Sequence, residues 1–259
     1  MSARPITTEE PPSEPEDQAK GGRYMTIMEH LQELRYRLIV SALSVVATTG
    51  ASIYFAGRML DFLKKPAEDR SEAFFPIFTE PMEGLVAHFR IALMAGITFA
   101  MPILIYQTLM FVTPALTSKE KRWVYSIVIA ATLAFAGGVA FAFYIALPPA
   151  LGFLLTYPED VAEPHIKIGS YVDFVTRLLL WTGIVFETPL VIMGLARFGV
   201  VSSRQLLRFW RYAIVGAFVL AAIDTPSIDP VTQSLMAGPI IVLYGAGVGL
   251  ARLVEPRRG

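Results

Sequence analysis

Six apolar stretches constrain this chain more than any other feature. They occupy about residues 38–56, 86–111, 124–147, 174–196, 212–223 and 235–253. Each of the first four is long enough for a helix to cross a hydrocarbon layer of about 30 Å. With 54% hydrophobic against 17% charged residues, the chain has too little polar surface to cover itself in water. The expected fold is an all-α integral membrane protein with six transmembrane helices.

The last two helices are expected to be short. The fifth offers about 18 Å of helix before Asp224-Thr225-Pro226. The sixth carries Gly238-Pro239, and Gly245, Gly247 and Gly249 are expected to loosen it. Short spans must thin the bilayer, draw water in or pack against a neighbour. Thr117-Ser-Lys-Glu120 and Ser170-Tyr-Val-Asp173 read as capping boxes that open the third and fourth helices.

Lysine and arginine set the orientation. Arg35, Arg37, Lys119, Lys121, Arg122, Arg197, Arg204, Arg208, Arg211, Arg257 and Arg258 gather on the side that holds both chain ends. On the opposite side, Arg58, Lys64, Lys65, Arg70 and Lys167 are diluted by acids. Both termini are therefore expected in the cytoplasm, N-in/C-in. The long, proline-rich outer segments 57–85 and 148–170 contain Phe74, Phe75, Phe78 and Tyr157, and are expected to form a structured extracytoplasmic cap. Residues 1–24, rich in Pro, Glu and Ser, read as a disordered tail. Residues 25–253 read as the membrane domain and 254–259 as a cytoplasmic tail.

A few polar residues remain to be explained. Glu33, at the threshold of the first span, has the i,i+4 spacing of a helical ion pair with Arg37, whereas Arg35 does not face it. Glu120 has the third helical position of a capping box. Both carboxylates fall at the same border, and two acids in one partly desolvated site would bind a pair of guanidinium groups better than either alone. Glu187 lies in the middle of a span, where an ionisable group is costly and faces a cavity or a partner. Pro189 beside it is expected to kink the helix. Asp224, Thr225, Asp229 and Gln233 cluster at the outer turn between the last two helices, and Gln233 is placed to bond a polar group of a neighbouring span.

Other chemistry finds no support in the sequence. With no cysteine there is no thiol or cysteine-metal site. The three histidines are dispersed, and no nucleotide or hydrolase motif occurs. Neither an enzyme nor a cofactor or metal is expected, and a formal net charge of zero gives no sign of nucleic acid.

Together these segments resemble TatC, the multispanning core of the twin-arginine protein translocase. The likeness runs from Met25 to about Leu253 and rests on four segments in order. They are His30-Leu-Gln-Glu-Leu-Arg-Tyr-Arg-Leu38, Phe111-Val-Thr-Pro-Ala-Leu116 followed by Glu120 and Arg122, Phe186-Glu-Thr-Pro189, and Thr225-Pro-Ser-Ile-Asp-Pro-Val-Thr-Gln233. The resemblance implies a multi-pass protein of the bacterial plasma (inner) membrane. Glu33 and Glu120, supported by Arg35 and Arg122, would receive the paired arginines of a folded cargo's signal peptide. Phe111 matches a loop position and Pro66 a cap position that the family needs for activity. Glu187 would lie in a concave, glove-like face that admits the peptide's apolar segment. Thr225 and Gln233, with Asp229 in the same turn, would meet the single span of TatB or TatA, and copies of the chain would associate within a Tat complex driven by the proton-motive force.

Two other readings stay open on the residues alone. One is a small secondary transporter with Glu187 as its ion site, which would ordinarily show an internal repeat that this chain lacks. The other is an assembly subunit with no ligand of its own.

Overall fold

The computed structural model describes residues 27–69, 76–112, 118–156, 166–197, 199–224 and 230–255, with backbone only at 112, 118–123, 153–156, 224 and 230–232. In chain order the helices are α1 (Ile27–Ile53), α2 (Ala56–Glu68), α3 (Glu83–Val112), α4 (Ser118–Phe141), a π-helical segment (Ala142–Ala146) and α5 (Leu147–Thr156). There follow α6 (Ile168–Phe186), α7 (Thr188–Arg197), α8 (Ser203–Arg208), α9 (Trp210–Asp224) and α10 (Pro230–Val254). Among the described residues the only sheet-like feature is an isolated parallel bridge between Ile77 and Lys167.

Among the described residues, five segments are long and apolar enough to cross a membrane: Ile27–Ile53, Glu83–Phe111, Val124–Gly152, Ile168–Arg197 and Gln233–Val254. Trp210–Ile223 is a shorter apolar helix. This is a multi-pass membrane protein. Its outward surface is correspondingly apolar, with Leu43, Val46, Phe99, Ile129, Leu133 and Val242 all exposed.

The α1–α3 seam is the most extensive helix pair. Its packing depends on small residues, because lipid tails are as apolar as leucine and helices in a bilayer gain by close backbone approach. Thr48 Oγ1 donates to the Gly96 carbonyl at 2.7 Å, and a Cβ on Gly96 would lie 2.6 Å from the Thr49 Cα. The α4–α6 seam follows the same rule. A Cβ on Gly138 would stand 2.9 Å from the Gly183 Cα, and one on Gly183 would stand 2.6 Å from the buried Phe135 ring.

Of the segments expected to form a cap, α2 and the stretch around Ile77 are packed on the bundle, while residues 70–75 and 157–165, with Phe74, Phe75 and Tyr157, lie outside the described residues. Amphipathic α2 buries Leu63 and Ala67 against the bundle, and fully buried Tyr171 of α6 donates to the Leu63 carbonyl at 2.6 Å. Ile77 pairs with the strand-like stretch before α6: its N–H donates to the Ile166 carbonyl and its carbonyl accepts from the Ile168 N–H. Glu83 completes the tie. One carboxylate oxygen accepts from the Gly169 N–H at 2.9 Å and the other from the Thr79 N–H at 2.7 Å.

Three expectations are corrected. The sixth span is not short: α10 has 25 residues and runs unbroken through Pro239 and the glycines. A backbone in an apolar medium must satisfy its own hydrogen bonds, so a glycine's weak propensity does not loosen it there. Gly247 instead admits a neighbour, since a Cβ there would lie 3.1 Å from the Pro189 Cα. The fourth span does not open with a capping box at Ser170. It begins at Ile168, with Lys167 at the N-cap and no side-chain cap bond. Asp173 is held by Arg90 and Arg177, and Glu83 serves the first turn from another helix. Finally, the third span continues past residue 147 through the π-helical segment into α5. The expected capping box at Thr117–Glu120 lies outside the described residues, as do residues 1–26 and 256–259.

The fourth span breaks where Pro189 predicts. Glu187 alone separates α6 from α7, and its carbonyl accepts from the N–H groups of Leu190 and Val191, which restarts the helix.

Candidate functional site

Glu33 and Arg37 lie one turn apart on α1 and form the ion pair that their spacing predicts. Arg37 Nε donates to Glu33 Oε1 at 2.9 Å, and Arg37 Nη2 engages the same oxygen. Arg37 Nη1 reaches across the seam to Gln107 Oε1 of α3 at 3.1 Å. The Glu33 and Arg37 side chains are only 17% and 16% exposed. Glu33 Oε2 is buried and has no hydrogen-bond partner among the described residues. One carboxylate oxygen is thus held in place and the other carries acceptor capacity that the described fold does not use.

Two aromatic contacts complete this end of the bundle. His30 stacks on Phe111 with ring centroids 4.4 Å apart, which ties the start of α1 to the end of α3. Tyr106 stacks on Tyr125 at 6.1 Å, which ties the end of α3 to the first part of α4. Glu120 and Arg122 belong to the opening turns of α4, so their backbone sits at the same end as Glu33; their side chains lie outside the described residues. Arg35 is exposed and makes no part of the Glu33–Arg37–Gln107 chain.

The other described candidates, Glu187, Pro66 and Gln233, belong to other elements. Glu187 Oε1 is buried without a hydrogen-bond partner among the described residues, as is the hydroxyl of Thr182 one and a half turns earlier. Pro66 lies within α2, partly buried, on a cleft of about 340 Å³ with Phe62, Lys65, Asp69, Phe143, Tyr144 and Pro148. Gln233 Nε2 donates to the Phe218 carbonyl of α9 at 3.1 Å, so it binds a neighbouring helix of its own chain. Thr225 and Asp229 lie outside the described residues.

Residues 29–239 match the family model described as Sec-independent protein translocase protein (TatC). The chain belongs to the TatC family. The Sec-independent protein translocase protein TatC of Aquifex aeolicus is 37% identical over 236 residues, spanning 90% of this chain and 98% of that protein. The TatC of Synechocystis is 37% identical over 230 residues, 89% of each chain. A crystal structure titled twin arginine translocase receptor TatC superposes with a TM-score of 0.77 at 38% identity, covering 87% of this chain and 99% of that one. A second, in the detergent DDM, gives 0.78 at 39% identity. This TatC-family chain is accordingly a membrane component of a Sec-independent translocase and not an enzyme.

Within this TatC-family fold, two polar residues near the candidates escaped sequence reasoning. Gln107 is an uncharged residue near the end of an apolar span, and only the partner 70 positions away gives it meaning. Thr182 is a small hydroxyl in an apolar run, a residue type that ordinarily bonds its own helix carbonyl and draws no notice.

Proposed function

We propose that this chain is the receptor that reads twin-arginine signal peptides for the translocase, with Glu33 as its principal acid. The observation that carries this reading is the half-committed carboxylate. Arg37 and Gln107 fix the orientation of Glu33, and its buried Oε2 offers an incoming guanidinium a charge-assisted bond. Glu120 supplies the second acid and Arg122 and Arg35 frame the face, while Phe111, stacked on His30, forms its apolar edge. This face is cytoplasmic by the distribution of Lys and Arg, in a bacterial plasma membrane. The membrane domain is 25–253, with tails 1–24 and 254–259.

The rest of the cycle follows from the same assignment. Once the arginines dock, the apolar part of the signal enters the bundle beside Glu187, under the cap that contains Pro66. TatA and TatB spans gather along the short α9, near Thr225, Asp229 and Gln233, and several copies of the chain associate as the proton-motive force drives transport.

The test is competition. A photo-crosslinkable twin-arginine peptide should label the face around Glu33 and Phe111, and a twin-lysine peptide should compete at least about tenfold more weakly. An ammonium lacks the planar, weakly hydrated set of N–H donors that a guanidinium brings to a partly buried oxygen, and one charge-assisted bond is worth about 1.5–3 kcal/mol. Equal competition by the two peptides would end the receptor reading.

Glu187 gives a separate expectation. Gln at this position keeps the size and polarity of the buried group and should retain most transport. Lys puts a fixed cation beside α7 in an apolar span and should abolish it. Transport measured in vesicles checks this, and equal loss in both variants would mean that the carboxyl itself carries a proton or charge.

A further inference from the structure

We propose that a cleft on the outer flank, between α3 and α6, binds the headgroup of an anionic phospholipid. The cleft has a volume of about 260 Å³, and its lining includes Arg90, Leu93, Asp173, Arg177, Leu180 and Trp181. Asp173 holds two guanidinium groups at once. Arg90 Nη1 lies 2.7 Å from Asp173 Oδ1 and Arg177 Nη2 lies 2.8 Å from Asp173 Oδ2. One carboxylate thus gathers two arginines, and the trio keeps a formal charge of plus one. Each guanidinium has five N–H donors and spends only part of them on Asp173. The side chains stay open to the surroundings, at 44% for Arg90 and 55% for Arg177.

Depth selects the ligand. α3 has 30 residues, about 45 Å of helix, so it overhangs a hydrocarbon layer of about 30 Å by roughly 7 Å at each end. Arg90 lies about 10 Å along α3 and Arg177 about 14 Å along α6. Long arginine side chains there reach back to the headgroup level. At that level the abundant anion is a lipid phosphate, which presents oxygens suited to a pair of guanidinium groups. Trp181 lies one turn deeper on the same helix and is exposed, which places it beside the acyl chain of a lipid whose phosphate meets the arginines. A residual positive charge favours a lipid with net negative charge over a zwitterionic one. The apolar continuation from the arginines to Trp181 favours a lipid over an isolated carboxylate on a partner's span.

Trp181 is also the reporter. The chain has three tryptophans, and Trp123→Phe with Trp210→Phe leaves Trp181 as the only one. The full chain is reconstituted in vesicles of phosphatidylcholine, and its fluorescence is quenched with increasing fractions of brominated phosphatidylglycerol or brominated phosphatidylcholine. Half-quenching should need at least about fivefold less phosphatidylglycerol, a modest preference for a single net charge near a membrane surface. Arg90→Gln with Arg177→Gln should bring the two lipids level, with quenching by phosphatidylcholine unchanged as the sign of an intact fold. Asp173→Asn should widen the preference, because it adds net positive charge. Should the double arginine variant fail to fold, the Asp173 variant decides alone, and a preference that narrows or stays the same overturns the site. Equal quenching in the parent protein would also overturn it and would leave the cleft to an acidic side chain of a partner helix. A preference that survives loss of both arginines would do the same.

Discussion

Glu33→Ala is expected to weaken twin-arginine peptide binding by about ten- to a hundredfold while changing thermal stability little. The two halves of that expectation have different origins. An i,i+4 ion pair contributes only a few tenths of a kcal/mol to a helix, and once Glu33 is gone Arg37 keeps its bond to Gln107 across the seam, so the fold loses little. A charge-assisted hydrogen bond to a guest guanidinium is worth about 1.5–3 kcal/mol, and each 1.4 kcal/mol is tenfold in affinity. Glu33 Oε2 is where that bond would form, because Oε1 is occupied by Arg37.

Arg37→Gln separates a carboxylate that holds its neighbour from one that holds a guest. It removes the same ion pair as Glu33→Ala, and also the Arg37–Gln107 bond across the seam, so it should destabilise the chain somewhat more. The carboxylate survives with both oxygens available, so peptide binding should persist, and be equal or tighter. Crosslinking yield and melting temperature of the purified chain, measured on both variants, give the comparison. Parallel loss of binding in the two would mean that the pair is needed as a structural unit, and Glu33 would then not be the acceptor.

How far this could be read in advance depended on sequence distance. The spans and the Glu33–Arg37 pair follow from local periodicity, and the break at Glu187 follows from one proline. Gln107 with Arg37, Thr48 with Gly96, Asp173 with Arg90 and Glu83 with Gly169 are separated by 48 to 86 positions. No local spacing announces such partners. The start of α6 shows how a local signal is overridden: Ser170-x-x-Asp173 has capping-box spacing, but Asp173 gains two cations by turning to Arg90 and Arg177. The length of α10 shows the other failure. Glycine propensity measured in water is a weak guide where a helix has no solvent to bond and its glycines admit neighbouring helices.

Gly96→Ala is expected to be among the most damaging single changes to this fold. The added methyl would meet the Thr49 Cα at 2.6 Å and the Thr49 nitrogen at 2.7 Å. These are backbone atoms, so no rotamer change relieves the overlap, and α1 must move away from α3. Overpacking of this kind costs about 1–3 kcal/mol, occasionally more. The Thr48–Gly96 hydrogen bond stretches as well, a further loss of about 0.6 kcal/mol for an average interhelical bond in a membrane. Gly50→Ala on α1 is the control, since its added methyl meets nothing within 4 Å and alanine favours a helix. In detergent, the Gly96 variant should unfold well below the parent and the Gly50 variant at or above it. Identical melting of the two variants would show that α1 and α3 slide freely. Displacing α1 also draws Arg37 from Gln107. Peptide binding should therefore fall in Gly96→Ala even at temperatures where the chain stays folded, and the size of that fall measures how far the Glu33 face depends on the seam behind it.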